Sequence, residues 1–433
     1  MSAPAAVVVL LHEAPELPIS PPAVASIALR VPCPDEGTVT LTGAAQKFLA
    51  SLHAAQPDGP YSLVGLGERA GVFAQALALE LLGQDASVTS VATVLDAALP
   101  PWVPDGDDIA RFHRLQAACA AWTPPEPSML PTQRCLSPAS DVTGWIERVA
   151  ATTPVPLPPP ATSAIPLKVG GPFRAPVFCI PGAGASIVSL LDLAQATHPQ
   201  ATVIGLQPRG LDGMAPPCTT VETVAASILP QVLKAAPQGP IRLVGHSFGG
   251  WIAFALALRL RAQGRTLASV DLIDSRPPPV DELVVECEEL DVLLRWVALL
   301  ELSVERPLGI DASILQPLSA PERMRVVHRR MTEVGLMPMQ SDPITMLGAL
   351  RMFAACLRTR YMPAGSYDGA LRVVHLQDPG LDATGNDREA TEMHSGWLRH
   401  APHTQLICAS GNHMTGIRGP HARTLAERLG LSA

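Results

Sequence analysis

Gly245, Ser247 and Gly249 form a G-x-S-x-G pattern in the run IRLVGHSFGG (241–250). An apolar, strand-like segment leads into it, and a helical pattern, WIAFALALRLRAQG (251–264), follows. A serine hydroxyl becomes a useful nucleophile only when a base takes its proton. A sharp strand-to-helix turn lifts the Oγ clear of a sheet and sets a helix N-terminus beneath it, where developing negative charge is stabilised. Such a turn is tight, so its neighbours must lack bulk. Composition alone yields this pattern somewhere in such a chain with a chance on the order of 0.1, so its placement between strand and helix is what makes it informative.

A serine nucleophile needs a base, and the base needs an orienting acid; on a sheet of this kind the chain order is Ser, then Asp or Glu, then His. Asp274 ends the next apolar run, LASVDLID, on the sheet edge where open α/β sheets place their sites. Asp378, at the end of LRVVHLQD, is the rival acid. Of the twelve histidines, His375 lies within a strand pattern, His328 in a charged helix, and His394, His400 and His403 flank a surface-type segment. His413 sits in SGNHMTG, a loop with glycine on both sides after the last strand and before the last helix. It is the expected base. The oxyanion hole is expected from the backbone N–H groups of Phe248, which follows the nucleophile, and Ala183, in the glycine-rich loop of VFCIPGAGAS (177–186).

The elements that must position these residues alternate between helical and strand patterns, which predicts an α/β fold built on a parallel sheet. A proline-rich stretch, PVPLPPPATSAIP (154–166), has six prolines in thirteen residues and reads as a linker. It divides the 433 residues into a part at 1–150, a linker at 151–172 and a larger part at 173–433. The two parts are internally similar. Residues 40–65 align without gaps on 220–245, QALALEL answers FALALRL, and Asp96 falls opposite Asp274. The first copy is expected to lack strands equivalent to 371–376 and 404–408. In the second copy, three helical patterns between 280 and 362 read as a lid, with leucine, methionine, valine and Trp296 lining an apolar channel.

Composition narrows the function further. Lys+Arg number 31 and Asp+Glu 39, for a net charge of −8, which argues against a nucleic-acid partner. No run reaches the length of a membrane span, and the first residues lack the basic start of a secretory signal. The eight cysteines show no metal spacing and read as free thiols of a cytoplasmic protein. Neither a cofactor nor a metal is expected.

The blocks IPGAGAS, GLQPRGLDG, GHSFGG, LIDSRPP and GNHM stand in an order that is specific to one family. From about residue 175 to the end, the chain resembles the thioesterase domains that close nonribosomal peptide synthetase and polyketide synthase assembly lines. The resemblance implies an α/β-hydrolase fold with a helical lid and favours Asp274 over Asp378 as the acid. It also implies that an acyl, peptidyl or polyketide chain moves from a carrier protein's phosphopantetheine arm to Ser247, for release by hydrolysis or cyclisation. The alternatives are a serine esterase or lipase acting on free esters, and a non-catalytic module that docks carriers. Against this template the first copy reads as a truncated, degenerate thioesterase-like module. Gly67 stands where Ser247 would be, and LLHEAPELP (10–18) lacks the glycine pair. The basic run RMRVVHRRM (323–331) is either a carrier-facing patch or a solvated helix face.

Overall fold

The computed structural model describes residues 7–13, 26–31, 40–57, 59–94, 115, 119, 130, 133–136, 163–171, 174–279 and 287–432. The chain forms two compact units. The main segment of the first is Met1–Pro160; the second is made of Ala161–Gly213, Pro217–Val285 and Glu289–Ala433.

In the first unit, β1 (Val7–His12), β2 (Ser26–Arg30), α1 (Leu41–Ala55), β3 (Tyr61–Leu66), α2 (Glu68–Gly83), β4 (Val88–Val94) and β5 (Gln133–Leu136) follow in turn. The strands lie in the order β2-β1-β3-β4-β5, and every neighbouring pair is parallel. All six residues of β3 are buried, the continuous apolar pattern of a strand covered on both faces. Helix α1 presents Leu41, Ala45, Phe48 and Leu52 to the core at helical spacing. Phe48 meets Phe73 of α2 edge to face, with ring centroids 5.3 Å apart.

The second unit begins with β6 (Ser163–Lys168) and β7 (Val177–Ile180). Helix α3 (Leu191–Ala196), β8 (Val203–Gln207), α4 (Val221–Ala235), β9 (Ile241–His246), α5 (Phe248–Ala262) and β10 (Leu267–Ile273) come next. The lid region supplies α6 (Glu289–Val304), α7 (Ala312–Leu315), α8 (Ala320–Glu333) and α9 (Leu347–Arg358). The chain returns through β11 (Leu371–Gln377), α10 (Ala383–Leu398), β12 (Thr404–Ser410) and α11 (Gly419–Arg428). Strand order is β12-β11-β10-β9-β7-β8-β6, parallel except for β6, which runs antiparallel to β8. The expected α/β architecture is present.

The internal similarity extends to topology. β1 to β5 occupy the same sheet order as β7 to β11. The residues aligned at the start of the repeat do the same work: Thr40 and Thr220 are the N-caps of α1 and α4, and each side chain accepts an N–H three residues on, at 3.1 Å.

Two expectations need correction. The first copy does hold an equivalent of the strand at 371–376: β5 pairs in parallel with β4, with Val91 opposite Gln133. Its four residues, QRCL, are too short and too polar to show a strand pattern. The stretch expected as linker also ends inside the second sheet, because Ser163–Lys168 forms the edge strand β6. Pro166 cannot donate a ladder hydrogen bond, and an edge strand is the place in a sheet that tolerates it. Asp96 lies outside the described residues. No helix among the described residues is long and apolar enough to cross a membrane.

Candidate active site

Ser247 sits between β9 and α5 with φ 54° and ψ −125°, a backbone conformation that costs a residue bearing a side chain on the order of 1–3 kcal/mol. The turn is held by Ser247 N–H donating to the Ile273 carbonyl at 2.8 Å and Gly250 N–H donating to the Ser247 carbonyl at 2.9 Å. Gly249 is required by close approach: a Cβ there would lie 2.5 Å from the carbonyl oxygens of Ile180 and Pro181. The turn therefore packs directly on the chain leaving β7. That contact brings the loop 181–184 to the nucleophile, and a Cβ on Gly182 would be 3.2 Å from Ser247 Cβ. Ala183, Ser247 and Phe248 line one cavity. Phe248 is the first residue of α5, so its N–H is one of the unpaired donors of a helix start.

Asp274 follows β10 and His413 follows β12, which puts both at the C-terminal edge of the sheet. Their side chains meet, with His413 Nδ1 2.7 Å from Asp274 Oδ2. Asp274 itself has φ 45°, and its N–H donates to the Val374 carbonyl at 2.8 Å. Burial alone would raise the Asp274 carboxyl, but its hydrogen bond to His413 and the nearby imidazoles outweigh that and hold it below the usual range. Asp378 also lines the cavity, yet its carboxylate caps its own turn, accepting from Gly380 N–H at 2.8 Å. Ser247, Asp274 and His413 thus face one cavity, with the acid and base joined by a hydrogen bond.

The residue before the nucleophile adds a contact that the motif did not reveal. His246 is buried, and its Nε2 lies 2.8 Å from the His413 carbonyl oxygen. Burial first, then the neighbouring His413, pushes the His246 imidazole down to about 3. It is therefore neutral near pH 7, and the Nε2 facing a carbonyl carries the proton. One segment so supplies the nucleophile and a tether for the base loop. The signal available in the sequence was a histidine filling the variable position of the motif.

The cavity has a volume of about 1370 Å³, above the roughly 300–1,000 Å³ of ordinary small-molecule pockets. Trp251, Trp296, Leu299, Met346, Phe353 and Met414 are among its apolar walls. The lid contributes Trp296, leucines and methionines as expected, while no valine among the described residues of the lid lines it. Cys356 also lines the cavity, but burial pushes its thiol up to about 12, so it is no rival nucleophile. On the lid's basic run, Arg323 turns onto the Leu315 carbonyl at 2.9 Å, and Arg330 pairs with Glu333 at 2.8 Å.

The first unit has different chemistry at the equivalent edge. Gly67 precedes α2 with φ 98°, so the positive-φ turn persists without a hydroxyl. Glu13, just after β1, pairs with Arg69 of α2 at 2.7 Å.

Residues 175–301 match the family model described as Thioesterase domain. Among curated proteins, the chain is 36% identical over 110 residues to malpibaldin synthetase of Mortierella alpina, covering 25% of this chain and 2% of that protein. It is 25% identical over 279 residues to chondramide synthase cmdD of Chondromyces crocatus, covering 61% of this chain and 7% of that protein. The chain thus spans only a small fraction of these relatives' length. Among solved structures, the four-domain nonribosomal peptide synthetase AB3403 in its holo form, bound to AMP and glycine, aligns with a TM-score of 0.55 at 21% identity. The alignment covers 62% of this chain and 20% of that one, and at such identity it shows a shared fold alone.

Proposed function

We propose that this chain, which carries a thioesterase domain match at residues 175–301, is a serine thioesterase that releases an acyl, peptidyl or polyketide chain from the phosphopantetheine thioester of a carrier protein. The observation that carries the reading is the sharing of one large apolar cavity by Ser247, on its strained turn, and the hydrogen-bonded Asp274–His413 pair.

In the proposed reaction, Ser247 Oγ attacks the thioester carbonyl while His413 takes the hydroxyl proton. The oxyanion is received by the N–H groups of Ala183 and Phe248. The C–S bond then breaks, and His413 returns the proton to the departing pantetheine sulfur, leaving an acyl-Ser247 ester and a free thiol. Water, or a nucleophile within the chain, repeats the sequence in reverse and frees Ser247. Asp274 holds His413 through Nδ1–H, so that Nε2 is the working nitrogen, and it stabilises the imidazolium that forms. No metal or cofactor takes part in this scheme.

A fluorophosphonate probe should label Ser247, and Ser247→Ala should abolish the adduct. Turnover should be faster on a carrier-bound acyl thioester than on a free ester of the same chain. Labelling with preference for free esters would leave a serine esterase in its place. Absence of labelling in the folded protein would overturn a catalytic serine altogether and favour a carrier-docking module.

A further inference from the structure

Lid helix α6 forms one wall of the cavity through Trp296, Leu299, Leu300 and Ser303, residues at helical spacing on one face. Its C-terminal end meets the loop that carries His413. The carbonyl of Leu302 lies in the last turn, where no intrahelical N–H is available to it. Asn412 Nδ2 donates to that carbonyl at 3.1 Å.

The other end of the same side chain organises the base loop. Asn412 Oδ1 accepts the N–H groups of Met414 and Thr415, both at 2.8 Å. The Asn412 N–H donates to Thr415 Oγ1 at 3.1 Å. Two donors facing one end of the amide and a carbonyl facing the other fix its orientation. A second link runs parallel to the first: Arg418 Nη1 donates to Ser303 Oγ at 2.6 Å, bringing a cation to the negative end of the α6 dipole. Asn412 is 5% exposed, so water does not compete freely for these bonds.

We propose that Asn412 is a positioning residue that couples the acyl-binding lid to the base. An acyl chain that fills the cavity presses on α6, the end of α6 is capped by Asn412, and His413 is the next residue. Binding energy from the remote part of the acyl chain is thereby spent on placing the imidazole rather than on affinity alone. The inference rests on the thioesterase reading of this site.

The test is an acyl-chain series from acetyl to decanoyl, presented as pantetheine thioesters to the full chain and to Asn412→Asp. The carboxylate still accepts from Met414 and Thr415 but cannot donate to Leu302, and it places a negative charge at the helix end. In the parent, kcat should rise about tenfold or more along the series. In the variant that rise should shrink to about threefold or less while KM still falls with chain length, because the apolar walls are intact. Equal loss of kcat at every length would mark simple loop damage and overturn the proposal, as would a parent kcat indifferent to length. If Asn412→Asp does not fold, Ser303→Ala removes the parallel link. It must weaken the dependence of kcat on length, and an unchanged dependence overturns the coupling. The same alkyl series as fluorophosphonates reads attack by Ser247 without any thioester. Labelling rates that follow the predicted pattern without thioester turnover would remove the thioesterase reading and leave the coupling standing. A parent that fails to label at Ser247 would overturn both.

Discussion

Ser247, Asp274 and His413 have unequal tasks, so their replacements should have unequal costs. Ser247→Ala and His413→Ala should each lower kcat by on the order of 10⁵ or more, because members of such a set act as a unit. Asp274→Asn should cost less, on the order of 10³–10⁴, since the nucleophile and base remain but the imidazole tautomer is no longer held. Asp378→Asn should stay within roughly threefold, as its carboxylate serves its own turn; steady-state kinetics on one pantetheine thioester checks all four. His246 sets a second expectation at this scale. Unfolded, it takes up a proton below about pH 6.5; folded, its imidazole is pushed down to about 3. The folded state thus binds fewer protons, and stability is lost as pH falls through that window, by up to several kcal/mol. His246→Gln keeps an N–H donor for the His413 carbonyl but has nothing to titrate. Its acid-unfolding midpoint should lie at lower pH than the parent's, and an unchanged midpoint would show that His246 is not the group responsible.

Edge strand β6 decides where the second unit starts. Residues 173–433 look complete from the proline-rich composition alone, yet that fragment lacks β6, the outer partner of β8, and exposes the β8 edge of the sheet. A fragment beginning at 161 keeps the pairing. The shorter fragment should melt roughly 5–10 °C below the longer one, corresponding to a loss of a few kcal/mol, and should aggregate more readily. Equal midpoints in a thermal scan would mean that β6 adds nothing to the sheet. Both β6 and β5 escaped the sequence reading for the same reason. Each is short, one is polar and the other contains proline, and each acquires strand character only from the ladder of its neighbour.

At the level of the whole molecule, two copies of one topology differ in what stands at the C-terminal edge of the sheet. In the first unit, the positive-φ turn at Gly67 survives as a backbone relic, with the Glu13–Arg69 pair nearby. Gly67→Ser would restore a hydroxyl in a copy whose sequence shows no counterpart of the His413 loop, at a cost of about 1–3 kcal/mol for a side chain at φ 98°. The variant should gain no second fluorophosphonate adduct: peptide mapping should find label at Ser247 alone, and label at position 67 would show that the first copy retains chemistry.

Local chemistry was enough to read much of this protein from its sequence. The buried strand, tight turn and long helix around Ser247 are encoded within some two dozen consecutive residues. The ungapped alignment of 40–65 on 220–245 implied a duplicated topology, because equivalent apolar patterns build equivalent strands and helices. Proximity between distant segments was decided only by tertiary structure. Asp274 and His413 are 139 residues apart in the chain, and nothing in either segment says which of two aspartates the imidazole meets. The Asn412–Leu302 and His246–His413 contacts span 110 and 167 residues. Side-chain periodicity records which face of an element is buried, whereas the partner across that face depends on strand order and loop path, which residues far apart in the sequence set together.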